Sequence, residues 1–302
     1  MSYTLRTVLL GSMLLCGSAG LVGAFMMLRR RSLISDVVGH SALPGLAIAF
    51  LTAEAVAPGT GRNPAWLILG AMASGLLGAI AVLVIDRTSR LKADAALAIV
   101  LSVFYGAGTA LLTVVQNIPQ RAAASTSAGL TSYLAGTAAA TSRSDVLAFA
   151  AVAAALIAVT LLFFKELTLL CFDADFAAAE GLPVRTLDVL LTGLVVGVTI
   201  LGMESVGLIL VVATLVIPPS AARFWTDDMR IFALLSLMFG MTAAATGSLI
   251  SASFAKVPVG PTIVLCGATL FAASVVFGTR RGLIATRRGR DAMSEPRVVP
   301  TV

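Results

Sequence analysis

The one histidine of the 302-residue chain stands four positions after a carboxylate, in Asp36-Val37-Val38-Gly39-His40, within a segment that is otherwise almost wholly apolar. On a helix that spacing puts both side chains on one face, where a carboxylate oxygen and an imidazole nitrogen can hold one cation between them. Ionisable groups inside apolar membrane segments are costly, and by default they mark a pathway or a site. The same residues also have a purely structural reading: Asp36 caps a helix just after Arg29-Arg30-Arg31, and His40 is hydrogen-bonded to neighbouring backbone. Pro44-Gly45, one turn later, can kink the helix and free backbone groups near the pair, or can serve packing alone.

The elements that must carry this pair are membrane spans. Hydrophobic residues make up 58% of the chain and charged residues 12%, which excludes a water-soluble globular protein. Apolar runs fall at approximately 7–28, 33–52, 64–85, 94–115, 145–164, 186–203, 205–222, 230–253 and 261–278. They predict an all-α polytopic membrane protein of about eight or nine transmembrane helices. The stretch 186–222 reads either as two spans or as one broken element.

The net charge of +6 comes from basic residues gathered at the ends of these runs: Arg29 to Arg31, Arg87 with Arg90 and Lys92, Arg280 with Arg281, and Arg287 with Arg288 and Arg290. That pattern marks cytoplasmic loops and carries none of the aromatic and basic constellations of a nucleic-acid reader. With those ends inside, the N-terminus lies outside and the C-terminus inside. The first run lacks a strongly basic start and ends in three arginines where a signal peptide would have a small-residue cleavage site, so it is expected to stay as a span.

Several segments complete this expectation. Residues 1–286 form one membrane domain, and the basic, proline-containing stretch 287–302 is a disordered cytoplasmic tail. The Ala/Ser/Thr-rich stretch 121–144 is too polar for a lipid-facing span and reads as an interfacial, re-entrant or plain connecting segment. Glycines such as Gly70, Gly75, Gly78, Gly193 and Gly197 let helices approach closely. Cys16, Cys171 and Cys266 show no zinc or redox spacing and serve as small apolar fillers. Glu204 stands at an outer mouth or an ordinary helix end, and Lys256 at the interface.

A second chemically distinct segment is Phe172-Asp173-Ala174-Asp175-Phe176, followed by Glu180-Gly181-Leu182-Pro183. Asp173 or Asp175 can cap a short helix that Gly181 and Pro183 terminate, giving an amphipathic helix between two spans on the cytoplasmic side. Such a helix suits docking to a peripheral subunit, or lies on lipid, although its acidic residues fit poorly with an anionic inner leaflet.

The run from Arg29 to Phe50 resembles the start of the membrane permeases of ABC importers for manganese, zinc and iron. Phe172 to Leu182 looks like their coupling helix, Val206 to Arg223 with Pro218-Pro219 looks like the segment that follows it, and Pro258-Val259-Gly260-Pro261 fits their last external turn. The resemblance implies a fold related to the cobalamin-type importer permeases and a path enclosed by two permease subunits, homo- or heterodimeric. It implies that Asp36 and His40 touch the metal in transit, and that Phe172, Asp173, Asp175, Phe176, Glu180 and Gly181 (a coupling helix at about 172–182) face the ATPase.

The expected function is therefore the permease subunit of an ATP-driven importer of a divalent transition metal, in a bacterial inner membrane. A carboxylate with an imidazole and no nearby thiol suits manganese, iron or zinc, and the Leu43-Pro44-Gly45 form favours manganese or iron by resemblance. The chain has no Gly-x-x-x-x-Gly-Lys-Ser/Thr loop, so it is expected not to be an enzyme. ATP hydrolysis would belong to a separate subunit, and an extracytoplasmic binding protein would deliver the metal. The other partner is membrane lipid, and no cofactor is expected on this chain. Two other readings are an ion-coupled secondary transporter, with Asp36, His40 and Glu204 carrying protons or sodium, and a siderophore or cobalamin permease, which has no need of the Asp/His pair.

Overall fold

A computed structural model describes residues 3–29, 31, 33–56, 63–116, 143–254 and 257–285. Among them every regular element is a helix: α1 Tyr3–Leu28, α2 Ile34–Val56, α3 Pro64–Thr88, α4 Ala93–Gln116, α5 Arg143–Leu162, α6 Phe164–Phe172, α7 Ala174–Ala179, α8 Val184–Val206, α9 Leu208–Ala222, α10 Met229–Ser253 and α11 Val259–Phe277. Among the described residues seven helices are long and apolar enough to cross a membrane. An eighth is obtained if α5 and α6, bent by 65° at their junction, count as one span.

Each of the nine apolar runs coincides with a helix. The run 205–222 is the exception in length: α9 has 15 residues, about 22 Å at the helical rise, which is short of a hydrocarbon core. The break that separates it from α8 is Gly207, at φ 95°, a backbone conformation that a side chain would oppose. Pro218 and Pro219 stand within α9. The segment 121–142, Lys256 and the tail 287–302 lie outside the described residues.

Local chemistry sets several helix ends. Asn63 accepts a hydrogen bond from the Ala65 amide, with Pro64 at the first helical position of α3. Asp228 accepts from the amides of Arg230 and Ile231 to start α10.

Packing divides into two groups of helices. In the first, α1 lies against α10 and α9, and α11 covers α9 and α10. In the second, α2 lies against α3 and α4. Helix α8 touches both groups, contacting α1, α2, α3 and α9.

Small residues permit the tightest crossings. A Cβ on Gly20 would strike the Ser236 carbonyl on α10, and one on Gly45 would strike the Gly70 carbonyl on α3. A Cβ on Gly78 would strike Ser41 of α2 and one on Gly197 would crowd Leu156 of α5, whereas Gly193 faces open space, so close approach accounts for the first two and not for the third. The three free cysteines are at least half-buried, as expected of fillers.

Candidate functional site

Helix α2, which bears the Asp/His pair, is packed against α3, α4, α8 and α9. Gly39, between the two, is packed against Leu208 at the start of α9. Gly75 of α3 contacts Val38, and Gly108 of α4 brings its backbone against Leu43 and Pro44. The pair is thus bounded by α3, α4 and the α8–α9 break.

Asp36 lies in the first turn of α2. Its Oδ1 is 3.5 Å from His40 Nε2, with side-chain exposures of 39% and 27%. The helical spacing brings the two together as the sequence predicts. A cation about 2.1 Å from each atom would see them at roughly 110°, close to the tetrahedral angle, and an octahedral ion would need them to close to about 3.0 Å. The His40 ring is held edge-on to Tyr105 of α4, with centroids 5.1 Å apart at 87°. His40 Nδ1 is buried without a hydrogen-bond partner. Pro44 lies inside α2 and has no amide hydrogen, so the His40 carbonyl lacks its usual helical donor. The described residues contain no group of three or more His, Cys, Asp or Glu side chains able to hold a metal ion, so this pair supplies two donors and no more.

The segment 172–182, expected from the sequence to dock a partner, forms as its caps dictate. Asp173 accepts from the Phe176 amide at 2.9 Å to start α7. At the other end Gly181 takes φ +81°, its amide bonds to Ala178 O, and the Leu182 amide bonds to Ala177 O, which is the Schellman arrangement. Ala177 is buried against the bundle, while Phe172 and Phe176 are 62% and 51% exposed. Asp175 and Glu180 are exposed as well. Phe172 at the end of α6, Asp175 and Phe176 on the six-residue α7, and Glu180 at its C-terminal cap make a compact exposed patch of two aromatic rings beside two carboxylates.

The sequence reading did not single out Asp188, Tyr105, Gly39 or Leu208. Asp188, five residues beyond Pro183, is 4% exposed and bound by three arginines. A carboxylate inside an apolar run was the signal that could have found it, since such a group requires a partner. Nothing in the sequence marks the other three. Glu204 lies in the last turn of α8, just before the Gly207 break.

Comparison with known proteins places the whole architecture. The model of the ABC 3 transport family matches residues 1–278. The zinc transport system membrane protein TroC of Treponema pallidum is 40% identical over 282 residues, 93% of this chain and 91% of that protein. The manganese transport system membrane protein MntC of Bacillus subtilis is 40% identical over 279 residues, 92% of this chain, which spans 62% of that longer relative. Among solved structures, PsaBC from Streptococcus pneumoniae in complex with Fab matches with a TM-score of 0.79 at 32% identity, over 95% of this chain and 96% of the other.

Proposed function

The chain belongs to the ABC 3 transport family and is a multi-pass protein of the bacterial inner membrane, and from that premise we propose that it is the permease subunit through which an ATP-driven importer passes a divalent transition metal. The observation that carries the cargo assignment is the Asp36/His40 pair, 3.5 Å apart on a helix that four others enclose. One carboxylate oxygen and one imidazole nitrogen compensate part of the cation's lost hydration. Two donors are too few for a closed structural site, which suits an ion that must leave again. The remaining positions are filled by water or by the same pair on a second permease copy across the path.

A carboxylate and an imidazole without thiolate suit manganese, iron(II) and zinc alike, so the donor set does not rank the three. Relatives named for zinc and for manganese are equally similar to this chain, so resemblance does not choose between them.

Helix α7 is the docking element for an ATPase subunit. Phe172 and Phe176 supply the apolar anchor, Asp175 and Glu180 the charge complement, and Asp173 and Gly181 the caps that keep the helix rigid. Nucleotide-driven movement of the ATPase displaces α7 and re-aims the spans. Metal reaches the outer side from a separate binding protein. Residues 1–286 act as the membrane domain, with 287–302 a cytoplasmic tail. The transported ion is the substrate, and this chain performs no covalent chemistry.

The test is metal uptake into vesicles carrying the reconstituted permease–ATPase complex, supplied in turn with manganese, iron(II) and zinc. ATP-dependent accumulation that vanishes in Asp36→Ala supports the assignment. ATP-independent accumulation driven by a proton or sodium gradient would replace it with a secondary transporter.

A further inference from the structure

A second ionic cluster has no part in holding the metal, yet it joins both flanks of the docking helix to the helix that bears the metal pair. Asp188, in the second turn of α8, receives Arg29 Nη2 on Oδ1 at 2.6 Å and Arg87 Nη2 on Oδ2 at 2.8 Å, with Arg31 Nη1 3.8 Å from Oδ1. Arg31 also pairs with Asp86 at 3.0 Å, and Arg29 Nη1 donates to the Leu170 carbonyl at 3.1 Å. Three cations against two anions leave a net charge of +1 within the cluster.

The sequence positions give this arrangement its meaning. Leu170 is three residues before Asp173, which caps α7, and Asp188 is five residues after Pro183, where the docking segment ends. Arg29 holds both. Arg29 and Arg31 occupy the turn between α1 and α2, and the Arg31 carbonyl accepts the Ile34 amide that begins α2. Asp36 follows five residues after Arg31. A displacement of α7 therefore reaches the start of α2 through one guanidinium and one carboxylate.

Stability alone does not account for such a cluster, because a buried ion pair is commonly matched or exceeded by apolar side chains of similar volume. The best-attested use of buried charge is to fix a register or a switch. Resting on the functional reading above, we propose that Asp188, gripped by Arg29, Arg31 and Arg87, is the positioning residue that transmits movement of the docking helix to α2 and re-aims the Asp36/His40 pair. Its carboxylate oxygens are occupied by guanidinium groups, so it does not touch the cargo.

The experiment uses the reconstituted permease–ATPase complex and reads three quantities: basal ATP hydrolysis, metal taken up per ATP, and nucleotide-dependent hydrogen exchange of residues 33–40. Asp188→Asn keeps the shape and removes the charge. It is expected to leave assembly and basal hydrolysis at the wild-type level while uptake per ATP falls about tenfold, within the span of ordinary coupling between sites. Asp188→Glu, which restores the charge, is expected to recover part of that loss. Nucleotide should change exchange at 33–40 in the wild type and not in Asp188→Asn.

Wild-type uptake per ATP in Asp188→Asn overturns the proposal. Loss of assembly in both Asp188 variants overturns it too, because the cluster is then only structural. If the wild-type complex moves no metal, the cargo assignment fails separately, and the exchange measurement decides the link: an equal nucleotide response in wild type and Asp188→Asn overturns it, and a response confined to the wild type upholds it.

Discussion

Asp36 and Asp188 are both carboxylates near the beginning of a membrane helix, and their surroundings differ in a way that suits opposite tasks. Asp36 is 39% exposed, with the His40 imidazole 3.5 Å away on the same helix. Its oxygens still have room for a cation. Asp188 is 4% exposed, and guanidinium groups from the α1–α2 turn and from α3 occupy both of its oxygens. A metal ion offered there would have to displace two charge-assisted hydrogen bonds. The difference shows that an acidic residue in a membrane span marks a function only after its partners are counted: open valence suits cargo, and filled valence suits a mechanical joint.

The largest effect expected of any substitution is at the pair itself. Asp36→Ala or His40→Ala should reduce metal uptake by about a hundredfold or more, beyond the range seen for residues that merely support metal ligands. Thermal unfolding of the purified complex should hardly change, since both side chains are partly solvated. Asp36→Asn should be nearly as harmful, because the shape persists and the charge does not. Uptake near the wild-type rate in both alanine variants would remove the cargo half of the comparison.

At the other site, the single arginines can be graded by what their loss costs in stability. Arg29→Ala leaves Asp188 with its remaining arginine partners and Leu170 O without its side-chain donor, at a cost of about 2–3 kcal/mol, read as a lowered midpoint in thermal or denaturant unfolding. Arg87→Ala should cost under about 1 kcal/mol, since Arg87 is 40% exposed and screened by solvent. Equal losses for the two arginines would mean that burial does not grade the cluster as described.

The docking helix gives smaller effects, and they separate its apolar anchor from its caps. Phe176→Ala should lower uptake per assembled complex roughly fivefold through lost contact with the ATPase, with metal binding at Asp36 and His40 unchanged in a direct binding assay. Crosslinks to the ATPase from cysteines placed in another loop, and never from positions 173–182, would displace the docking assignment. Asp173→Ala removes one cap hydrogen bond, and Gly181→Ala puts a Cβ on a residue at φ +81°. Each should cost about 1 kcal/mol of local stability, seen as faster amide exchange across 174–182 with smaller changes in transport.

The apolar runs, the i to i+4 placement of Asp36 and His40, and the Asp173 and Gly181 caps were all legible in the sequence, because each depends on groups within a few residues of one another. Hydropathy at the helical rise fixes where a span lies, and capping chemistry fixes where a short helix begins and ends, whatever packs around them. The arginines near 29–31 and at 87 were legible only as loop charges that set orientation. That Arg29 and Arg87 hydrogen-bond a carboxylate 159 and 101 residues away depends on how α1, α3 and α8 cross, which no local pattern encodes. Tertiary structure likewise decided that α8 and α9 break at Gly207, that Leu208 then rests on Gly39 between Asp36 and His40, and that Tyr105 meets the His40 ring. Within lipid, apolar side chains gain little by choosing one neighbour over another, so small residues and buried charges select which helices meet, and their effect is expressed only when the whole bundle is packed.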